Sequence, residues 1–182
     1  GCVVSSSINH YTYVNVHSRQ DDFIQIFSPD FQAHNKPVKF ENLLSTKGTE
    51  FPIGFLKYME YKKGINLMIS SDVAPSSGLG SSSSLAVNIV NVLSTLQEKK
   101  LSLHEICEIG HHVQRNIVKV PLGKQDEYVS AFGGFNFIKF STDKVEVIPY
   151  SFSKNSILEL EKNLLLFFLG SRPNDRLLTT QI

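Results

Sequence analysis

Apolar and polar positions follow two periods along this chain, and together they predict strands and helices in mixed order. Strands are indicated where β-branched and aromatic residues are dense or alternate with polar residues. The predicted strands are residues 3–8, 11–17, 23–27, 38–40, 65–69, 135–140 and 145–150. Helices are indicated where apolar residues recur every three or four positions. The predicted helices are residues 52–63, 84–96, 102–117, 129–132 and 153–160.

Residues 164–169 form a run that is apolar throughout, which is typical of a strand buried on both faces. Together with the order of the other elements, it predicts an α+β domain in which helices cover one face of a sheet. Ser102 followed by Glu105 has the spacing of a capping box, which fixes the start of the helix at residues 102–117.

The composition disfavours several classes of protein. With 182 residues, of which 41% are hydrophobic and 19% charged, the chain is long enough for one domain with a substantial core. A net charge of +1 gives no reason to expect nucleic acid or a membrane surface as a partner. No apolar run in the sequence reaches the ~18 residues of a membrane helix. Cys2 and Cys107 form no metal-binding pattern, so a reducing, cytoplasmic compartment is expected.

The clearest chemical signal is a glycine- and serine-rich loop at residues 72–84, between the predicted strand 65–69 and a helical run from Leu85. Backbone N–H groups, hydroxyls and the positive end of the helix dipole would converge there, and such a point suits a phosphate group. Gly78 and Gly80 would let the backbone take positive φ angles and approach an anion closely. The hypothesis is that this loop holds a nucleoside triphosphate.

Other kinds of loop can be compared with this one. A plain helix start with a serine cap is the alternative, but it leaves the four successive serines at 81–84 unexplained. The Walker pattern is absent, because Gln125 follows Gly123 and Lys124. The dinucleotide pattern is absent too, because Ser83 stands where its third glycine is required. A phosphate loop in this chain would therefore belong to neither class.

Two stretches of the chain resemble a known family. Pro75 and residues 78–82, GLGSS, are similar to PxxGLGSS, the second motif of the GHMP small-molecule kinases. Residues 123–128, GKQDEY, with residues 131–137, AFGGFNF, resemble the stretch GKQDQYAAAFGGFN of the D-glycero-D-manno-heptose 7-phosphate 1-kinases in that family. Residues 6–11 also resemble the opening strands of those kinases, so the resemblance spans nearly the whole chain.

The resemblance implies a fold and a domain arrangement. The fold would be the two-layer, ribosomal protein S5 domain 2-like fold, with a mixed sheet and helices on one face. Residues 1–170 would form the N-terminal, ATP-binding domain, and residues 171–182 would begin the connection to a C-terminal domain. Since the sequence starts at Gly1 without an initiator methionine or a basic leader, we expect that both ends of a longer protein are missing.

The resemblance also assigns roles in the loop and beside it. The loop would wrap the phosphates of ATP, and the hydroxyl of Ser82 would contact Mg²⁺. The loop residues assigned to ATP are Pro75, Ser77, Gly78, Leu79, Gly80, Ser81, Ser82 and Ser83. Asp126 would be the catalytic carboxylate, which accepts or orients the proton of a sugar hydroxyl. Without the resemblance, the ordinary interpretation of Asp126 is a helix N-cap.

Three further side chains are candidates with open alternatives. Lys124 would stabilise the charge of Asp126 or contact a phosphate, unless it is simply a surface lysine. Gln125 would contact the substrate or support the loop. Arg172, which follows the apolar run 164–169, could bind a substrate phosphate through two N–H groups, or could equally be a surface arginine.

Gln114 marks a departure from the family. Members of the family usually carry a glutamate at this position, on the helix before Asp126, as a second Mg²⁺ ligand. An amide can coordinate Mg²⁺ through its oxygen, but it contributes no negative charge. Weaker metal binding is therefore expected if Gln114 is a ligand, with more reliance on Asp126 and the nucleotide phosphates.

The functional hypothesis is an ATP- and Mg²⁺-dependent sugar kinase. It would transfer the γ-phosphoryl group of ATP to the anomeric hydroxyl of a sugar phosphate, first of all D-glycero-D-manno-heptose 7-phosphate. A fucose or galactose 1-kinase, or a non-catalytic relative that binds nucleotide or sugar, is the alternative. An RNA-binding module is disfavoured by the near-neutral charge. The 182 residues alone are expected to turn over slowly or not at all, and the oligomeric state stays open.

Overall fold

The computed structural model describes residues 1–167, apart from the side chain of Phe31, and these residues form two sheets flanked by helices. The strands are β1 (Cys2–Ser6), β2 (Thr12–Ser18), β3 (Phe23–Ser28), β4 (Ala33–His34), β5 (Val38–Lys39), β6 (Ile65–Ser71), β7 (Phe135–Phe140) and β8 (Val145–Tyr150). The α-helices are α1 (Glu50–Tyr58), α2 (Ser81–Leu96), α3 (Leu103–His112), α4 (Gln125–Phe132) and α5 (Lys154–Lys162). Short 3₁₀ turns lie at Pro29–Phe31 and Phe40–Asn42, and α3 continues into a π-helical turn at Val113–Ile117.

The larger sheet has the strand order β2-β6-β3-β4, with β5 also pairing with β3. Strands β3 and β6 are parallel and α1 lies in the crossover between them, whereas β6 pairs with β2 in the antiparallel sense. The sheet is therefore mixed, as predicted. Its register places Ile26 opposite Leu67, so their apolar side chains share one face.

The core explains why the strands and α2 form where the hydrophobic pattern predicts them. Ile24 and Ile26 alternate with polar or exposed residues along β3, and both are fully buried. On α2, Ile89 and Leu93 are four residues apart and pack onto the same cluster. Burial of this face fixes α2 across the sheet, and its N-terminus is thereby held at the end of β6.

The smaller sheet has the order β1-β7-β8 and is antiparallel throughout. Ile138 on the central strand is buried, with Val3 and Val147 opposite it on the two neighbouring strands. Tyr128 and Cys107, from α4 and α3, complete this second cluster. A single sheet was the expectation, but β1 pairs with β7, far along the sequence, and an alternating pattern does not specify the pairing partner.

The prediction of a buried strand at residues 164–169 is wrong for the part that the structure describes. Residues 164–167 have no regular structure and are exposed, with Leu165 83% accessible. A buried strand needs neighbours on both faces, and the preceding helix α5 itself has no buried residue. Residues 168–169, Arg172 and the predicted connection 171–182 lie outside the described residues. Within residues 1–167, no helix combines the length and apolar character that crossing a bilayer requires.

Candidate active site

The loop between β6 and α2 contains backbone conformations that explain its glycines. Gly78 has φ of +81° and Gly80 has φ of +69°, and both angles lie in the left-handed region that favours glycine. Gly80 is the N-cap of α2, and no side chain in the described part of the chain caps the helix there. The N–H groups of the first turn are therefore left to a ligand or solvent, which is the arrangement that binds anions at helix N-termini.

Both ends of the loop are fastened to β2. The carboxylate of Asp72 accepts hydrogen bonds from the backbone N–H of Tyr11 at 3.0 Å and from the hydroxyl of Tyr13 at 3.1 Å. On the other side, the hydroxyls of Thr12 and Ser84 lie 2.9 Å apart. These contacts hold the loop in place without using the side chains at its centre.

The serines at the start of α2 point in different directions. Ser82 is exposed, and Ser81 is half-buried. Ser83 is buried, and its hydroxyl faces the interior. The hydroxyl of Ser77 is also buried and has no hydrogen-bond partner in the described residues. Of the predicted ATP contacts, Ser77 and Ser83 therefore both have buried hydroxyls.

Asp126 packs directly against the loop. A Cβ atom placed on Gly80 would lie 3.4 Å from the Cβ, Cγ and Oδ2 atoms of Asp126. Asp126 stands in the first turn of α4 and, like Gln125 beside it, is exposed. The two stretches that carry the family resemblance therefore meet in space, and a carboxylate lies at the rim of the glycine- and serine-rich loop.

Lys124 has a partner that the sequence did not reveal. Its Nζ donates to Oε2 of Glu108 at 2.6 Å, and the hydroxyl of Tyr128 donates to Oε1 of the same carboxylate at 2.7 Å. Burial acts to raise the pKa of Glu108, but these two hydrogen bonds outweigh it and the pKa is lowered. Glu108 thus ties α3 to both ends of the first turn of α4. No motif marks it, and only the fold brings it to Lys124.

Gln114 and Glu127 form a buried pair beneath the loop. Neither is accessible to solvent, and Nε2 of Gln114 donates to Oε1 of Glu127 at 2.7 Å. The same Nε2 lies 3.5 Å from the hydroxyl of Ser83. Burial raises the pKa of Glu127 to about 7, and the neighbouring carboxylates of Asp126 and Glu108 act in the same direction. The sequence interpretation named Gln114 but passed over Glu127, whose one signal was Glu in place of the second Gln of GKQDQY.

A cleft of about 490 Å³ opens beside the loop. Leu79 and Ser81 line it on the loop side, Asn88 and Asn91 line it from α2, and His10 lines it from the connection between β1 and β2. The cleft combines apolar walls with amide and hydroxyl groups, which is the usual composition of a small-molecule site.

The oxygen atoms around the loop fit a hard divalent cation held together with phosphates. Ser82 and Asp126 offer oxygens at the surface, and the buried oxygens Oε1 of Gln114 and Oε2 of Glu127 have no hydrogen-bond partner in the described residues. Residues 1–167 contain no group of three or more His, Cys, Asp or Glu side chains suited to a metal. A cation would therefore depend on the nucleotide for part of its coordination, as Mg²⁺ usually does.

Comparison with known proteins places this geometry in a family. Residues 50–134 match the GHMP kinases N terminal domain, and this range includes both the loop and Asp126. The chain is 28% identical over 178 residues to the D-glycero-alpha-D-manno-heptose 7-phosphate kinase of Campylobacter jejuni, covering 92% of this chain and 51% of that protein. It is 31% identical over 141 residues to the galactokinase of Mannheimia succiniciproducens, covering 73% of this chain and 37% of the galactokinase.

Solved structures agree. A D-glycero-D-manno-heptose 1-phosphate kinase from Bacteriodes thetaiotaomicron superposes with a TM-score of 0.82 at 26% identity, over 88% of this chain and 55% of that chain. The Methanococcus jannaschii mevalonate kinase, at 21% identity and a TM-score of 0.67 over 82% of this chain and 49% of that chain, shares the fold. The present chain spans about half the length of the first of these curated relatives. The fold, the loop and the matched region together show that residues 50–134 carry the GHMP kinases N terminal domain.

Proposed function

We propose that this chain is the nucleotide-binding part of an ATP-dependent sugar kinase. The reaction is transfer of the γ-phosphoryl group of ATP to the anomeric hydroxyl of a sugar phosphate. The observation that carries the proposal is the contact of Asp126 with Gly80, because it sets a carboxylate at the rim of a loop built for phosphate. Phosphoryl transfer needs the phosphate donor and the base that orients the acceptor hydroxyl to lie next to each other.

ATP binding follows from the loop and the cleft beside it. The open N–H groups at the start of α2 and the hydroxyls of Ser81 and Ser82 bind the phosphates. The nucleoside occupies the neighbouring cleft, whose walls include Leu79 and the amide of Asn88. Rigid attachment of the loop to β2 through Asp72 means that little ordering is needed when the nucleotide arrives.

Asp126 accepts or orients the proton of the attacking hydroxyl, and Lys124 holds the turn that carries it. Lys124 does so through its ion pair with Glu108, while Gln125 faces the solvent where the acceptor would enter. A bound Mg²⁺ would neutralise charge on the phosphates, and Ser82, whose side chain is exposed, would hold it. The proposed role of Arg172 in binding a substrate phosphate rests on the sequence alone.

A heptose 7-phosphate is the first choice of acceptor, because the heptose 7-phosphate kinase of Campylobacter jejuni aligns with 92% of this chain. Galactose is the second, since several galactokinases align with 73% or more of the chain at 24% to 31% identity. A non-catalytic nucleotide-binding relative is a second candidate function. It is favoured by one observation, that residue 114 carries an uncharged amide where the family carries glutamate.

The test uses the longer protein of which this chain is proposed to be the nucleotide-binding part, and it compares wild type with Asp126→Asn in two assays. Binding of ATP is measured by calorimetry, and ADP release is measured with heptose 7-phosphate, galactose and fucose as acceptors. We expect Asp126→Asn to retain ATP binding and to lose sugar-dependent turnover by about 100-fold or more. Asp143→Asn, in the exposed turn between β7 and β8, is the matched control and should match wild type in both assays. A variant at position 126 as active as wild type contradicts the catalytic role, and ATP binding without turnover by wild type favours the non-catalytic candidate.

A further inference from the structure

The buried pair beneath the loop contains one carboxyl group, and that group stands at the position opposite to the one expected. The resemblance places a glutamate at position 114 and, from the stretch GKQDQY, a glutamine at position 127. This chain has Gln114 and Glu127, so amide and carboxylate have exchanged places. The two side chains touch through the 2.7 Å hydrogen bond from Nε2 of Gln114 to Oε1 of Glu127. The exchange therefore keeps the carboxylate within the same small volume.

That volume contains two acceptor oxygens without a donor. Oε1 of Gln114 and Oε2 of Glu127 are buried, and the described residues offer neither of them a hydrogen bond. Buried polar atoms are nearly always satisfied, because an unmade hydrogen bond leaves the full desolvation penalty in place. Two unsatisfied oxygens in side chains that touch one another point to a donor or cation that the described residues do not supply and that a ligand would bring.

The pair of Gln114 and Glu127 also lies next to the loop and the first turn of α2. Glu127 follows Asp126, which contacts Gly80 in the loop, and Gln114 reaches the hydroxyl of Ser83 in the first turn of α2. A Cβ atom on Gly110 would lie 3.7 Å from Cγ of Glu127 and 3.6 Å from Cβ of Ala86. This close packing of α3 holds the Glu127 side chain against α2, and the amide of Gln114 links its carboxylate to the hydroxyl of Ser83.

We infer that Glu127 is the carboxylate ligand of the divalent cation in this chain, in place of residue 114, with Gln114 orienting it. The inference rests on the proposed function, since the cation is the one bound with the nucleotide. Gln114 donates its N–H to one carboxylate oxygen and leaves the other for the cation, and its own Oε1 is a neutral second ligand. The chain thus keeps the negative charge whose apparent loss at position 114 favoured a non-catalytic relative.

The experiment is a charge-exchange series read out by metal binding. The proteins are wild type, Glu127→Gln, and the double variant Gln114→Glu with Glu127→Gln, which restores the arrangement of the family. Binding of Mn²⁺ is measured from the electron paramagnetic resonance signal of the free ion, in the presence of saturating AMP-PNP. Glu98→Gln, an exposed glutamate just past the far end of α2, is the matched control. Thermal unfolding of each variant confirms that it is folded at the temperature of the titration.

We expect Glu127→Gln to weaken Mn²⁺ binding about 10-fold or more, because the carboxylate ligand is lost. The double variant should bind Mn²⁺ within about threefold of wild type, because the charge returns to the same volume. Equal Mn²⁺ affinity of wild type and Glu127→Gln would overturn the inference. So would a double variant as weak as Glu127→Gln, since the effect would then reflect disturbed packing. Failure of wild type to bind AMP-PNP itself would overturn the proposed function, and this inference with it.

Discussion

Helix α2 joins two regions of opposite character. Along its length, Ile89 and Leu93 are buried among the apolar side chains of the larger sheet. At its first turn, Ser83 meets the polar pair of Gln114 and Glu127, which is equally inaccessible to solvent. The first region is stabilised by many interchangeable apolar contacts. The second is held by a few polar contacts, each with one specific partner.

The difference teaches how stability and function are divided in this domain. Loss of an apolar contact in the sheet region removes packing and leaves a cavity, so it lowers the free energy of unfolding. Loss of a polar contact in the site region changes where a charge stands and leaves much of the packing intact. Substitutions of the first kind should therefore affect stability, whereas those of the second kind should affect ligand binding and geometry.

The largest expected effect on stability comes from Ile89→Ala. Ile89 is fully buried in the sheet region, and truncating it should lower the free energy of unfolding by about 2–5 kcal/mol. ATP affinity should be unchanged under conditions in which the variant is folded. Thr95→Ala, on the exposed face of the same helix, is the control and should stay within about 0.5 kcal/mol of wild type. Urea denaturation measures the free energy of unfolding of both variants. Equal values would contradict the claim that apolar burial in the sheet region carries the stability of the domain.

A smaller effect is expected in the contacts that hold α4. Tyr128 is 2% exposed, and its hydroxyl donates to the carboxylate of Glu108. Tyr128→Phe removes that donor and should lower the free energy of unfolding by about 1–2 kcal/mol. The side chain of Lys124, which binds the same carboxylate, is 39% exposed. Because solvent screens this ion pair, Lys124→Met should lower the free energy of unfolding by less than about 1 kcal/mol. Urea denaturation of both variants provides the check, and a larger loss for Lys124→Met would mean that the ion pair, not the buried hydroxyl, anchors α4.

The sequence predicted the sheet region better than the site region, for a physical reason. Apolar periodicity reports which face of a strand or helix is buried, and β3, β6 and α2 all formed where it indicated. The capping box of Ser102 and Glu105 is confirmed, because both of its hydrogen bonds are local. Pairing between distant segments leaves no such local signal, so the separation into two sheets was missed.

In the candidate site, the sequence named the residues that belong to the two motifs and did not name the partners that support them. The contact between Asp126 and Gly80 agrees with the positions expected from the resemblance. Glu108 and Glu127 act through contacts with residues 13 or more positions away along the chain, such as the Gln114–Glu127 hydrogen bond. A buried glutamate and an exposed one look alike in a sequence, and only the fold separates them. The error at residues 164–169 has the same origin, because apolar composition does not supply the neighbours that bury a strand.

The smallest effect, a dependence on pH, is expected at the end of the sheet region between β2 and β3. Arg19 binds Asp21 through two hydrogen bonds of 2.6 and 2.7 Å, and the hydrogen bond from Arg19 lowers the pKa of Asp21 to about 2 from an ordinary 3.8. Since the folded pKa is the lower one, the ionised carboxylate favours the folded state. Its contribution is complete above about pH 4 and is lost as the pH falls through about 2.

Asp21→Asn should therefore be slightly less stable than wild type at about pH 5, and the difference should shrink as the pH falls toward about 2. The expected difference is small because the Asp21 side chain is 44% exposed. Asp22→Asn, the adjacent exposed residue, controls for the removal of one charge. Thermal unfolding of the three proteins across this pH range is the measurement. If Asp21→Asn and Asp22→Asn behave alike at every pH, the Arg19 contact adds nothing to the sheet region, whose stability then rests on apolar burial alone.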